Sequence, residues 1–239
     1  MNKFYGIGVG VGDPSMLTYK AVNVLKKLDV VILPEAKTGE GGTAYGIAKE
    51  FLKEEIEKVF LEFPMVKDME VRIASRKRNA RVIEELLAEG KNVGFLTIGD
   101  PMIYSTFSYI LEHLDSNIQM ESICGIPTFV DMASLLGIPL TLGEESLKII
   151  SLNPELDLLQ EIGSADNIVF MKLSKNFDRL KEALEATGNI DNAVIVSNCG
   201  KENQKIYTDI ANMKSEEVEY FSTMILKKGG ISKWKKFIS

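Results

Sequence analysis

The sequence has very little of the residues that several kinds of active site require. Its 239 residues include one histidine and two cysteines. Because His113 is the single histidine, Ser-His-Asp catalysis and histidine-rich metal sites are nearly excluded. Cys124 and Cys199 stand in unrelated contexts and predict neither a disulfide framework nor a thiolate metal site. Any acid–base chemistry therefore falls to carboxylates, tyrosine, lysine or water.

The sequence also lacks long apolar runs and an excess of positive charge. No run approaches the roughly 20 apolar residues that span a bilayer. Met1–Tyr5 does not have the shape of a signal peptide, so we expect a cytoplasmic protein. The formal net charge of −6 argues against nucleic acid as the main partner. A polyanionic substrate would have to meet local positive groups.

Short β-branched or aromatic runs alternate with helical patterns, which predicts an α/β fold. The pattern changes near residue 117, so we expect two α/β domains, 1–117 with a mainly parallel sheet and 118–239 with a mixed one. The basic segment Lys227–Ser239 is expected to be a partly ordered tail. The predicted strands are Phe4–Val9, Asp29–Leu33, Val59–Phe63, Val93–Ile98, Ile118–Ile123, Leu147–Leu152, Ile168–Leu173, Ala193–Ser197, Lys205–Asp209 and Phe221–Leu226. The predicted helices are Thr18–Leu28, Thr43–Lys53, Val71–Ala88, Ser105–Leu114, Thr128–Leu136 and Asn176–Ala186.

The first glycine-rich segment, Gly6–Pro14, lies between a predicted strand and a predicted helix. Glycines there allow a sharp turn and the close approach of a ligand. The dinucleotide fingerprint fails, because it would need glycine where Val11 or Asp13 stands. Alone, the segment fits a tight turn as well as it fits a ligand loop.

The second segment, Gly99–Thr106, again follows a strand and precedes a helix, with Ser105 as the expected N-cap. Gly-Asp-Pro is a good turn tripeptide by itself. However, ligands in open α/β sheets bind at such strand ends. Two Gly-Asp-Pro loops at equivalent positions therefore favour a ligand site.

Three further features each have a structural interpretation, and the last also has a functional one. Cys124, in the segment Cys124–Phe129, is expected to pack as a small apolar residue. His113 is expected to face solvent or to favour the dipole of its helix. The basic run Arg72–Arg81 fits a solvated helix face, or a patch that binds substrate carboxylates. The candidates for such a patch are Arg72, Arg76, Arg78 and Lys37.

Taken together, these motifs resemble the tetrapyrrole (corrin/porphyrin) methylase family. The resemblance runs to about Lys228, with Val11 and Cys124 standing where the family usually has proline. Phe4–Gly10, Leu61–Met65 and Tyr220–Ser222 look like the branch that methylates carbon 20 of precorrin-2. The segments that carry the family resemblance are Gly8–Pro14 with Leu17-Thr18, Gly99–Thr106, Cys124–Thr128 and Ile168–Lys172.

The resemblance implies an S-adenosylmethionine-dependent C-methyltransferase, with a cofactor cleft between two α/β domains, a homodimeric assembly and no metal site. Its substrate would be precorrin-2 or cobalt-factor II, and Tyr104 is a candidate to accept the proton from carbon 20. The implied substrate-binding residues are Val11, Gly12, Asp13, Arg76 and Arg78. The implied cofactor-binding residues are Gly99, Asp100, Ile103, Ser105, Thr106, Pro127, Thr128, Met171, Thr223 and Met224.

Three alternatives stay open. The chain could methylate another position of a tetrapyrrole, such as a carbon of uroporphyrinogen III, or it could resemble the branch of the family that acts on the protein residue diphthamide. From a different class, it could be a nucleotide-binding module without turnover, since Val11 and Cys124 depart from the family's loops.

Overall fold

A computed structural model describes residues 2–35 and 42–234 of the protein. Its contacts divide the chain into two compact units, Met1–Pro127 and Thr128–Ser239. Each unit contains one five-stranded sheet. No described helix is long and apolar enough to cross a membrane.

The sheet of the first unit is entirely parallel, in the order β3-β2-β4-β1-β5. Its central strands are nearly continuous apolar runs, as expected for strands that are covered on both faces. The strands are β1 (Phe4–Gly8), β2 (Val30–Glu35), β3 (Glu57–Glu62), β4 (Val93–Thr97) and β5 (Met120–Ile123).

Four helices cover the two faces of this sheet. One face packs against α1 and α2, around a core that includes Ile7 and Leu25. The other packs against α3 and α4, around a core that includes Phe95 and Ile83. The helices are α1 (Tyr19–Leu25), α2 (Gly42–Ala48), α3 (Met69–Ala88) and α4 (Thr106–Leu111).

The sheet of the second unit is mixed, in the order β6-β7-β10-β8-β9, and only β6 and β7 are parallel. Its strands are β6 (Leu147–Ser151), β7 (Asn167–Met171), β8 (Ala193–Ser197), β9 (Lys205–Tyr207) and β10 (Ser222–Lys227). Its helices are α5 (Thr128–Leu136), α6 (Leu158–Gly163) and α7 (Phe177–Ala186). Single 3-10 turns in the two units cover Pro14–Met16, Lys49–Phe51, Leu173–Lys175, Ile190–Asn192 and Ser215–Glu217.

The α/β class, the parallel first sheet and the mixed second sheet are confirmed. All ten predicted strands are present, with ends shifted by a residue or two. The short helix α6 was not predicted. The expected boundary lies near residue 117, whereas the contacts divide the chain after Pro127, because β5 pairs with β1 in the first sheet.

The expectation of a tail from Lys227 onward is wrong at its first residue. Lys227 ends β10, and its side chain is 1% exposed. Its Nζ donates to Glu145 at 2.6 Å and to Asn167 at 3.1 Å. Because a buried ammonium is costly without such partners, this strand end is fixed by charge pairing. Residues 235–239 of the expected tail lie outside the described residues.

Candidate functional site

The first Gly-Asp-Pro loop connects β1 to α1. Asp13 Oδ1 accepts a hydrogen bond from the Ser15 N–H at 2.7 Å and starts the turn Pro14–Met16. Hydrogen bonds from Ser15, first from its side chain and then from its backbone, hold the pKa of Asp13 below its usual value. Thr18 caps α1, since its Oγ1 accepts from the Ala21 N–H at 3.1 Å.

The second Gly-Asp-Pro loop connects β4 to α4 in the same way. Asp100 Oδ1 accepts a hydrogen bond from the Met102 N–H at 2.8 Å. Ser105, as predicted, caps α4 by accepting from the Phe107 N–H at 3.2 Å. Its hydroxyl also lies 3.0 Å from that of Thr97 on β4. Ser105 is buried, and its hydroxyl serves to fix the loop and the helix.

A third loop, which follows β5, is tied to the other two. The Gly125 N–H donates to Asp100 Oδ2 at 3.1 Å. The Thr18 hydroxyl contacts the Cys124 carbonyl oxygen at 3.4 Å. The Gly99 N–H donates to the Gly10 carbonyl at 2.7 Å, which joins the first two loops. We call residues 9–18, 98–105 and 124–127 the three-loop cluster.

Backbone packs directly on backbone at the centre of this cluster. A Cβ atom on Gly125 would lie 2.0 Å from the Gly99 carbonyl oxygen. A Cβ atom on Gly8 would lie 2.5 Å from that same oxygen. Gly99 also has a φ of +71°, a conformation that favours glycine. Glycine is therefore required at these positions by contact or by conformation.

The cluster lies where the sheet topology favours a ligand. β1 and β4 are neighbours in the sheet. The helices that follow them pack on opposite faces, α1 on one and α4 on the other. In open α/β sheets, ligands bind outside the carboxyl ends of such neighbouring strands. The structure thus brings Asp13, Gly99, Asp100 and Pro127 to one edge of the first sheet.

Tyr104 is the most unusual residue of the second loop. It has a φ of +50°, which costs about 1–3 kcal/mol for a residue with a side chain. Its side chain is 48% exposed. Ile103 and Thr106, on either side of the Tyr104–Ser105 pair, are half-buried. An exposed aromatic side chain on strained backbone is typical of a functional loop.

The remaining predicted residues of the first unit differ in their access to a ligand. Gly12 is half-buried, but the side chain of Val11 is only 2% exposed, so it packs inside the unit. On α3, the Arg78 side chain donates to the Ser75 hydroxyl at 3.3 Å. The guanidinium carbon of Arg76 lies 3.8 Å from the ring centroid of Tyr109 on α4. Tyr109 was not predicted, and Lys37 lies outside the described residues.

Within the second unit, three predicted residues meet at the carboxyl end of β7. Met171 pairs with Thr223, and Met224 is the next residue of β10. Met224 is fully buried in the core, so only its main chain could contact a ligand. Thr128 begins α5, which packs against β10 in this unit.

The expectation about Cys124 is wrong. Cys124 is exposed and does not pack as an apolar residue, because it follows the last residue of the edge strand β5. His113 is half-buried just after the C-terminal end of α4, and its Nε2 is buried with no hydrogen-bond partner among the described residues, so the helix dipole stays the predicted interaction of its ring. Cys199 lies within 3.2 Å of Asp131 Oδ2, and burial raises the pKa of its thiol to about 12.

The fold and the cluster define a class of protein: an α/β protein with glycine loops at the carboxyl edge of a parallel sheet. Comparison with known proteins specifies the family. The sequence profile of the Tetrapyrrole (Corrin/Porphyrin) Methylases matches residues 3–214. The chain belongs to this family.

Two relatives and one solved structure illustrate the similarity. The chain is 37% identical to a probable cobalt-precorrin-2 C(20)-methyltransferase of Methanocaldococcus jannaschii, over 95% of this chain and 97% of that protein. It is 28% identical to the cobalt-precorrin-2 C(20)-methyltransferase of Salmonella typhimurium, over 95% and 96%. A uroporphyrin-III C-methyltransferase of Thermus thermophilus, solved with S-adenosylhomocysteine, has a TM-score of 0.66 at 19% identity, over 95% and 98%. At this low identity, the solved structure supports the fold alone.

Proposed function

We propose that the protein is an S-adenosylmethionine-dependent methyltransferase that methylates carbon 20 of precorrin-2 or of its cobalt-loaded equivalent. The observation that carries this proposal is the match over 95% of the chain to a protein named as a probable cobalt-precorrin-2 C(20)-methyltransferase. The three-loop cluster supports it, because three of the four segments that resemble the family meet at one edge of one sheet.

The residues of the cluster fit the proposed cofactor. Gly125 has no room for a Cβ and Gly99 has a positive φ, so the loops at these two positions are shaped by main chain alone. We assign Gly99, Asp100 and Ile103 to cofactor binding, together with the adjacent Ser105, Thr106 and Pro127. Thr128, Met171, Thr223 and Met224 of the second unit remain predicted cofactor contacts.

When bound, S-adenosylmethionine supplies a methyl group on a positively charged sulfur, which an electron-rich ring carbon can take in one displacement. The protein therefore has to position the reactants and exclude water more than it has to generate a nucleophile. Asp100 suits the positioning task, since both of its oxygens hold loop N–H groups. In this proposal it is a positioning residue for the cofactor loops.

Carbon 20 must lose a proton after the methyl transfer. Tyr104 is our candidate acceptor, because its side chain is exposed on the loop next to the assigned cofactor contacts. A Tyr104→Phe variant keeps the ring and removes the hydroxyl. It should lower kcat while the affinity for S-adenosylhomocysteine stays unchanged. An unchanged kcat would assign the proton to a neighbouring carboxylate or to water.

A direct assay tests the reaction. The purified protein is incubated with carbon-13-labelled S-adenosylmethionine and, separately, with precorrin-2, cobalt-factor II and uroporphyrinogen III. Mass spectrometry and NMR then locate the new methyl group. Label at carbon 20 supports the proposal. Whichever of precorrin-2 and cobalt-factor II is methylated faster shows whether the preferred substrate is metal-free or cobalt-loaded.

The same assay separates the alternatives. Label only on uroporphyrinogen III would mean that the chain methylates another position. Binding of S-adenosylhomocysteine without any transfer would indicate a binding module that has lost turnover.

The proposal extends to a cytoplasmic protein, as the composition predicts, and to a homodimer, as the resemblance implies. The two free cysteines suit a reducing compartment. Light scattering at micromolar concentration should give twice the mass of the 26.6 kDa chain. A monomer mass over the whole concentration range would remove this part of the proposal.

A further inference from the structure

We propose that Arg76 binds a carboxylate on the periphery of the macrocycle and that Tyr109 is the positioning residue for its guanidinium. The inference rests on the proposed function, because it assumes a carboxylated tetrapyrrole as the substrate. It assigns one of the candidate arginines of α3 and adds a residue of α4 that sequence motifs did not indicate.

The geometry of the pair carries the inference. The guanidinium carbon of Arg76 lies 3.8 Å from the ring centroid of Tyr109, well within the range of a cation–π contact. Tyr109 is 44% exposed and Arg76 is half-buried, so the pair lies at the surface. A ring over the face of a guanidinium fixes its plane and leaves the N–H groups at its edge available.

Within the described residues, the positive charge of Arg76 is not paired in a salt bridge and is available to an anionic ligand. Among residues 2–35 and 42–234, all the salt bridges are formed by lysines, and none involves Arg76. This is notable in a chain with 34 acidic and 28 basic residues. Planar guanidinium is the group best suited to bind a carboxylate through two parallel hydrogen bonds.

A neighbouring arginine reinforces the same surface. Arg72 precedes Arg76 by one helical turn on α3, so the two lie on one side of the helix. The buried Nε of Arg72 has no hydrogen-bond partner within the described part of the chain. Its Nη2 reaches the Lys67 carbonyl only at 3.5 Å. A carboxylate at Arg76 would therefore meet a second positive charge.

The pair lies within reach of the cofactor loops. Tyr109 follows the N-cap Ser105 by four residues, about 6 Å along α4 at the helical rise. α3 packs against α4 within the first unit. A macrocycle whose reacting carbon lies at the Gly99–Ser105 loop could place a peripheral acid arm at this distance.

The test measures the affinity for a carboxylated macrocycle in matched variants. Uroporphyrin III is titrated into the full-length protein, and its fluorescence gives the Kd. The variants are Arg76→Gln, Arg76→Lys, Tyr109→Leu and Tyr109→Phe. Arg81→Gln is the control, since Arg81 is exposed on the same helix. The Kd for S-adenosylhomocysteine and the melting temperature are measured in parallel.

We expect Arg76→Gln to raise the macrocycle Kd about tenfold, because a charge-assisted hydrogen bond is lost. Arg76→Lys should fall between this variant and the wild type. Tyr109→Leu should raise the Kd about threefold and Tyr109→Phe very little, because the ring does the positioning. The Kd for S-adenosylhomocysteine should not change in any of them.

Two results would overturn the inference: a Kd in Arg76→Gln equal to that of Arg81→Gln, or no binding of the macrocycle to the wild type. Carbon-20 methylation by the wild type together with the first result would refute the inference and keep the proposed function. Arg76-dependent macrocycle binding without methyl transfer would refute the reaction and keep the inference.

Discussion

The two Gly-Asp-Pro loops of the first unit have the same local design and different long-range roles. In each, the aspartate accepts an N–H two residues later, and a hydroxyl residue five positions after the aspartate caps the next helix. The exposed Asp13 fixes its own turn. Asp100 also accepts the Gly125 N–H and so joins its loop to the third loop. The same tripeptide is thus a turn in one place and a cross-link in the other.

The largest effect is expected from a substitution that breaks the cross-link at Gly125. A Gly125→Ala variant would place a methyl group against the Gly99 carbonyl oxygen. We expect a loss of about 3 kcal/mol in the free energy of unfolding, measured in urea, because backbone cannot yield as a side chain can. Gly46→Ala in α2 is the control, since its Cβ meets nothing within 4 Å. It should stabilise by about 0.5–1 kcal/mol, and equal effects would contradict the packing argument.

The next effect comes from the aspartates themselves. Asp100→Ala removes both loop hydrogen bonds and should cost about 2 kcal/mol of stability. Calorimetry should show the affinity for S-adenosylhomocysteine falling about tenfold, because the cofactor loops lose their link. Asp13→Ala and His113→Ala should leave that affinity almost unchanged. Equal affinity in Asp100→Ala and His113→Ala would remove the second loop from the site.

A smaller effect distinguishes the two helix caps. Thr18→Ala and Ser105→Ala should each cost about 1 kcal/mol of stability through the lost cap. Ser105→Ala should cost about 1 kcal/mol more, because the half-buried Thr97 hydroxyl loses its partner. Urea unfolding of both variants measures the difference. Equal losses would mean that the Thr97 contact contributes no more than the 3.4 Å contact of Thr18 with the Cys124 carbonyl oxygen, which Thr18→Ala removes.

The smallest effect is the pH dependence of Asp13. Its pKa in the folded chain lies below the ordinary value of 3.8, so its ionised form stabilises the folded state at neutral pH. This contribution should disappear as the pH falls below 3.8 and through the lowered pKa. The difference in unfolding free energy between wild type and Asp13→Asn should therefore shrink on acidification. A difference that grows at low pH would contradict the sign of the shift.

Much of the fold follows from local sequence pattern, and the failures have two causes: one helix is too short to show a period, and one lysine is buried by a long-range ion pair. Strands such as Val93–Thr97 are short apolar runs with turn residues on both sides, and this pattern was sufficient to place them. Helix α6 was missed because a single short helix after Asp157 has too few turns to show a period. The misplacement of Lys227 shows that composition cannot detect a buried ion pair formed with distant Glu145.

The sequence predicts which loops form the candidate site, but it does not predict the contacts between those loops. Local pattern is enough to predict the α/β class, the position of each loop between a strand and a helix, and the family that the motifs resemble. The contacts of Asp100 with the third loop, the burial of Val11 and the packing of Arg76 on Tyr109 are visible in the folded chain alone. Strand order and helix packing bring together residues far apart in the chain, and a local sequence pattern does not contain those distances.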